Sequence, residues 1–341
     1  MIVSIQIFRG IASLLVAISH LPLGFNFGFF GVDIFFVISG FVMAYTTRDG
    51  RQTAANFLVR RGVRVLPLYW IITSISLIKI LHDYRHSPIM DLPIRLITAS
   101  YFLVPLATGD DKMDFYPIVN PGWSLEYEAF FYLCFSAAIW FAPRRHALVI
   151  GISLCMLCGI GAIVELPTPL FYYARTNTLE FVYGMGIARL FVSDFRMSHL
   201  VAFPLLVCAA AAAWVFAPHS DEWDSLRGFG WGLPAAAIVT AAVLSPAITR
   251  NWFSRVLEAL GDASYSLYLT HEFTYQAIST LYPNLFTKGA ASVWTSGTML
   301  ACAIALGFIV YAVVERPLTR ALQGITSNRS STVPAVLPRP Q

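Results

Sequence analysis

Ten stretches of the sequence run apolar for close to the length of a bilayer crossing, and that pattern constrains the fold more than any motif does. They are residues 2–21, 28–47, 62–81, 122–142, 147–164, 178–193, 199–217, 229–248, 260–282 and 290–313. A helix needs about 20 residues to cross about 30 Å of hydrocarbon. Inside lipid the backbone must satisfy its own hydrogen bonds, so such stretches become helices. Only 12% of the residues are charged, against about a quarter in a soluble domain. The chain reads as an all-α polytopic membrane protein with about ten transmembrane helices in one membrane domain, residues 1–322. Residues 323–341, rich in Ser, Thr and Pro, read as a disordered cytoplasmic tail.

Charge in the loops sets the orientation. The stretch 92–106 is short and holds Arg95 and two prolines. If it does not span, thirteen basic residues lie in the cytoplasmic loops and span ends and seven on the other side, leaving out Arg9 and the tail. If it spans, the split becomes nine to ten. The excess of Lys and Arg on cytoplasmic loops favours the first arrangement, with both termini cytoplasmic. The outer loops 82–121 and 218–228 then carry the acids Asp83, Asp91, Asp110, Asp111, Asp114, Asp221, Glu222 and Asp224. No basic run is interleaved with aromatics, which argues against nucleic acid as a partner. Cys155 and Cys158 form a CxxC inside an apolar run, which reads as membrane core rather than as a redox or zinc pair.

Ionisable residues inside spans are costly and mark cavities or partners. Arg9 and His20 are eleven positions apart in the first span, so they share nearly one helix face, about 16 Å apart along the axis. Asp33 stands near the outer end of the second span, within reach of His20 across a short turn. Arg61 and Arg64 share a face at the cytoplasmic mouth of the third. Paired guanidiniums suit phosphate, because they offer planar, permanently charged donors. In the fourth span Ser124 and Glu128 share one face, and Trp123 lies with Glu126 or Tyr127 on another. One glutamate is expected to face a cavity and the other the outer interface. Glu180 stands in the sixth span, where Gly184 and Gly186 permit close helix contact. In the ninth, Ser264, Tyr268, His271 and Tyr275 form one stripe with Glu272 beside it. The last span ends at Glu315 and Arg316, with Pro317 expected to stop the helix.

These pieces resemble the acyltransferase-3 family of membrane acyltransferases, and within it the subgroup found with exopolysaccharide O-acetylation. The resemblance rests on Arg9 with His20, GVDIFFVISGF at 31–41, Arg61 and Arg64 as RxxR, PGWSLEYEAFFY at 121–132, GDASYSLYLTH at 261–271 and VERP at 314–317. It implies ten spans, an acyl-CoA co-substrate, and transfer of an acetyl or other acyl group to a hydroxyl, often on a sugar. By the same resemblance His20 matches the catalytic base, and Arg9, Arg61 and Arg64 match residues tied to activity and donor binding. Glu128 matches the carboxylate five residues after Trp123. On this reading Asp33 or Glu128 orients His20, and Trp123, Tyr268 and His271 line the acceptor side of the cavity. No bound cofactor or resident metal is expected. The partners are acyl-CoA, a saccharide or lipid-linked saccharide, and membrane lipid, in a multi-pass protein of the bacterial inner membrane. The competing reading is a transporter or flippase of a lipid-linked sugar that uses the same charges as a proton relay.

Overall fold

The computed structural model describes residues 2–23, 25–86, 93–107, 117–216, 226–246, 250–283 and 293–330. Among them every regular element is helical. The principal helices are α1 (Val3–Ser19), α2 (Phe30–Thr47), α3 (Ala54–His86), α4 (Ile94–Phe102), α5 (Gly122–Phe141), α6 (His146–Gly161) and α7 (Leu179–Val192). They continue with α8 (His199–Phe216), α9 (Gly232–Leu244), α10 (Trp252–Asp262), α11 (Ser264–Leu281), α12 (Val293–Val310) and α13 (Arg316–Ser330). Each of the ten apolar stretches falls mostly on one of these helices. Among the described residues, five segments are long and apolar enough to cross a membrane: Asn26–Thr47, Ala54–His82, His199–Phe216, Arg227–Leu244 and Val293–Ile325. The nine residues of α4 rise about 14 Å, less than a bilayer's hydrocarbon.

α2 is the axis of the bundle. Its apolar window is 78% buried, against 17% for those of α8 and α12, which face outward. It packs on α1, α7 and α9. Two glycines make the α2–α7 contact possible. A Cβ on Gly40 would lie 2.1 Å from the Phe181 carbonyl oxygen, and one on Gly184 would lie 2.0 Å from that of Val37. The two backbones therefore touch, which only small residues allow. Gly186 has no such role, since a Cβ there meets nothing within 4 Å.

Pro317 does not end the last helix. A π-turn, Tyr311–Glu315, precedes it; the wider turn absorbs the missing N–H and the ring. α13 then runs on to Ser330, through the first residues of the stretch read as a tail. Residues 331–341 lie outside the described residues, as do Asp91, Asp110, Asp111, Asp114, Asp221, Glu222, Asp224 and the side chain of Asp83.

Candidate active site

Helices α1, α2, α3, α5 and α11 surround a cavity. At one end Arg9, Arg61 and Arg64 line it together with Glu128. The spacing of three along α3 puts Arg61 and Arg64 on its cavity side, while Arg60 turns to a separate surface groove shared with Arg51 and Asn56. Arg9 is held on the seam between α1 and α11. Its Nη1 donates to Gln6 Oε1 at 3.1 Å and its Nη2 to Ser264 Oγ at 3.0 Å. Gln6 donates in turn to Asp262. Glu128 accepts from Ser39 Oγ at 3.0 Å and from the Tyr132 hydroxyl. Arg61 Nε is buried with no partner among the described residues. A buried donor left open in this way is costly unless a ligand fills it.

At the other end of α1 stands His20, the residue that caps the helix. Its Nδ1 lies 2.9 Å from the Val16 carbonyl and its Nε2 lies 3.1 Å from Glu272 Oε1 on α11. Asn120 Nδ2 donates to that same Glu272 oxygen at 3.0 Å. His271 packs edge-on against His20, ring centroids 4.7 Å apart, and Phe29 closes the other side at 5.2 Å. The cavity approaches this group through Tyr268, whose ring is 6.3 Å from that of His271. The Tyr268 hydroxyl is fixed 2.6 Å from Ser124 Oγ and 3.1 Å from the Pro121 carbonyl. Tyr275 completes the stripe by donating to the Ala17 carbonyl at 3.0 Å. The stripe Ser264, Tyr268, His271 and Tyr275 thus joins α11 to α1 and α5, and in doing so sets out the site.

Neither Asp33 nor Glu128 is the carboxylate at His20. Asp33 takes two bonds from Arg227, at 2.8 and 3.1 Å, with both side chains 1% exposed. Arg227 in turn lies over Trp231 and Trp123, 4.7 and 5.7 Å from their ring centroids. Trp123 therefore packs on this buried pair and does not line the cavity. Glu126, expected at the outer interface, is buried as well. Breaking a buried ion pair by removing one partner strands the other charge, at a cost of about 3–5 kcal/mol. Arg227→Met leaves Asp33 beside the equally buried Glu180. It is expected to lower the thermal unfolding midpoint of the detergent-solubilised protein sharply; an unchanged midpoint would show that the pair does not hold the bundle.

An acyltransferase domain family matches residues 2–314, nearly the whole chain. The chain belongs to the acyltransferase-3 family. This acyltransferase is 30% identical over 301 residues to the exopolysaccharide production protein ExoZ of Rhizobium meliloti, covering 87% of this chain and 91% of that one. It is 25% identical to the acyltransferase MdmB of Streptomyces mycarofaciens, over 86% and 82% of the two chains. It is also 25% identical to the peptidoglycan O-acetyltransferase OatA of Listeria monocytogenes, over 93% of this chain and 56% of the relative. No solved structure matches it. In the acyltransferase, Glu272 and Asn120 stand beside His20 and were not assigned by the motifs, and Arg227 is the unassigned partner of Asp33. Glu272 carried a signal of its own: a carboxylate inside a span, next to a histidine, facing no obvious cation.

Proposed function

We propose that the protein is a membrane-bound O-acyltransferase that moves an acetyl or other short acyl group from acyl-CoA to a hydroxyl of a cell-surface or lipid-linked saccharide. The observation that carries this reading is an arginine-lined cavity that reaches Tyr268, next to a His–Glu pair outside its lining. Its lower end offers three guanidiniums, one with a bare buried donor, and its upper end leads by Tyr268 to the paired His20 and Glu272. The relatives named for exopolysaccharide production and peptidoglycan O-acetylation support a saccharide acceptor.

The chemistry follows from the ends. Phosphates of the donor sit on Arg61 and Arg64, and its arm lies along α1 with the thioester directed toward His20. An acceptor hydroxyl that displaces the Glu272 oxygen from His20 Nε2 gives its proton to that nitrogen as its oxygen bonds to the thioester carbon. Glu272 stabilises the charge of the imidazolium that forms, while the Val16 carbonyl holds Nδ1–H in place. The C–S bond then breaks, and the thiolate leaves with a proton as free coenzyme A. Arg9 stays with the donor. The decisive test is release of free thiol from acetyl-CoA by the purified protein, with and without candidate saccharides. A transporter that uses the same charges releases none, and that result would remove this reading. Mass spectrometry of the host's surface polysaccharides, with and without the protein, then identifies the acceptor by a lost acyl mass.

Ten crossings with both termini in the cytoplasm place the arginine end where acyl-CoA is made. On this topology a cysteine at Arg145 is labelled only from the cytoplasm and one at Ser220 only from outside. Labelling of Arg145→Cys from outside would reverse every helix after α4 and overturn the ten-crossing arrangement.

A further inference from the structure

The group at the upper end of the cavity has a feature that a general base does not need. Both histidines present Nδ1 to a backbone carbonyl four residues back, His20 to Val16 at 2.9 Å and His271 to Leu267 at 3.2 Å. A carbonyl only accepts, so each Nδ1 carries a hydrogen, and each ring, when neutral, keeps its lone pair on Nε2. His271 Nε2 is buried with no partner among the described residues. His20 Nε2 lies 3.1 Å from a Glu272 oxygen. One ring nitrogen of each histidine and a Glu272 oxygen all lie within 4.8 Å of one another. Such a convergence of electron pairs calls for a cation between them. A proton satisfies His20 and Glu272 but leaves His271 bare. A metal ion satisfies all three.

We propose that His20, His271 and Glu272 form a binding site for a divalent transition-metal ion, zinc foremost, and that this ion competes with the acceptor hydroxyl for His20 Nε2. Two imidazoles and one carboxylate are a known zinc donor set that leaves a fourth position open. Imidazole donors select zinc, copper or nickel over magnesium and calcium. The outer contacts are those of a ligand set: each imidazole donates its other N–H to a carbonyl, and Asn120 donates to the Glu272 oxygen. His20 and Glu272 are 18% exposed, so an ion can reach them, while His271 closes the site from inside. The binding half stands on these contacts alone. The competition half rests on the acyl-transfer reading, because only a base needs the His20 lone pair.

The test is a zinc titration of the chelator-stripped full chain in detergent or nanodiscs, against a chromophoric competitor. One zinc ion per chain at micromolar or tighter affinity is expected, with no comparable magnesium binding. His271→Ala and Glu272→Gln should each weaken it by at least about 10-fold, the size of effect that even an outer contact produces. His271→Cys should retain binding, since a thiolate is a zinc ligand; a merely structural histidine would gain nothing from a thiol. His199→Asn, an exposed control, should change nothing. Absence of stoichiometric zinc, or zinc binding that survives His271→Ala, overturns the site. In the same preparation zinc should slow thiol release from acetyl-CoA and a chelator should restore it. Zinc bound at these residues with undiminished thiol release overturns the competition and leaves the site standing. A protein that releases no thiol at all fails the acyl-transfer reading, and the titration still decides the site.

Discussion

His20→Ala is expected to lower acyl transfer by about 10²–10⁴-fold, the usual contribution of a positioned general base, while the protein still inserts and folds. His20 caps α1 and is only partly buried, and its side chain closes no part of the principal core. The loss should therefore appear in kcat, with the KM for acyl-CoA nearly unchanged, because the arginines lie about 16 Å along the helix. Glu272→Gln keeps the shape of the side chain and removes its charge. It should lower kcat in the same sense, with Glu272→Asp recovering part of the rate. Asp33→Asn supplies the contrast. Asp33 is bonded to Arg227 rather than to His20, so its loss should act on stability first. Near-normal turnover in a well-inserted His20→Ala protein would place the base elsewhere and leave the His20–Glu272 contact as packing.

How far the site could be read in advance depended on the distance over which each residue acts. Helix periodicity places residues of one helix relative to each other. That is why Arg61 and Arg64, which share a face of α3, both line the cavity with Arg9. The same periodicity aligned Ser264, Tyr268, His271 and Tyr275, all of which are buried. Pairing between helices is not encoded by period. Asp33 is nearer to His20 in sequence than Glu272 is, yet helix contacts decide the partner. α11 packs beside α1 and brings Glu272 to His20, while Arg227, on a one-turn helix at Arg227–Gly230, claims Asp33. Glu126 shows the same limit: a carboxylate near a span end reads as interfacial until the helices around it close. Gly184 and Gly186 differ for a similar reason, since two positions along α7 is more than half a turn and only one can meet Val37. Pro317 failed as a stop because its rule assumes an α-helical register, and a π-turn changes the register just before it.

The double variant Arg61→Gln, Arg64→Gln is expected to raise the KM for acyl-CoA strongly and leave that for the acceptor nearly unchanged. Both side chains line the cavity beside Arg9, and Arg61 Nε is a buried donor with no partner among the described residues. A charge-assisted contact contributes about 1.5–3 kcal/mol, so losing one weakens donor binding by roughly one to two powers of ten. The effect should shrink for a truncated donor that keeps the acylated arm but lacks the nucleotide phosphates. Lys at both positions should restore part of the loss, since Lys keeps the charge but not the planar fork. Glu128 sharpens the test. It sits among the same arginines, held by Ser39 and Tyr132, and is a standing counter-charge that the donor's phosphates must overcome. Glu128→Gln should therefore tighten acyl-CoA if the site is electrostatic, opposite in sign to the arginine variants. Arginines that only orient the chain in the membrane predict something different: misinsertion or poor expression, with normal donor kinetics in whatever inserts correctly. An unchanged donor KM in well-inserted double variant would end the case for a phosphate site at Arg61 and Arg64, and would leave Arg9 as the one cavity arginine able to touch the donor.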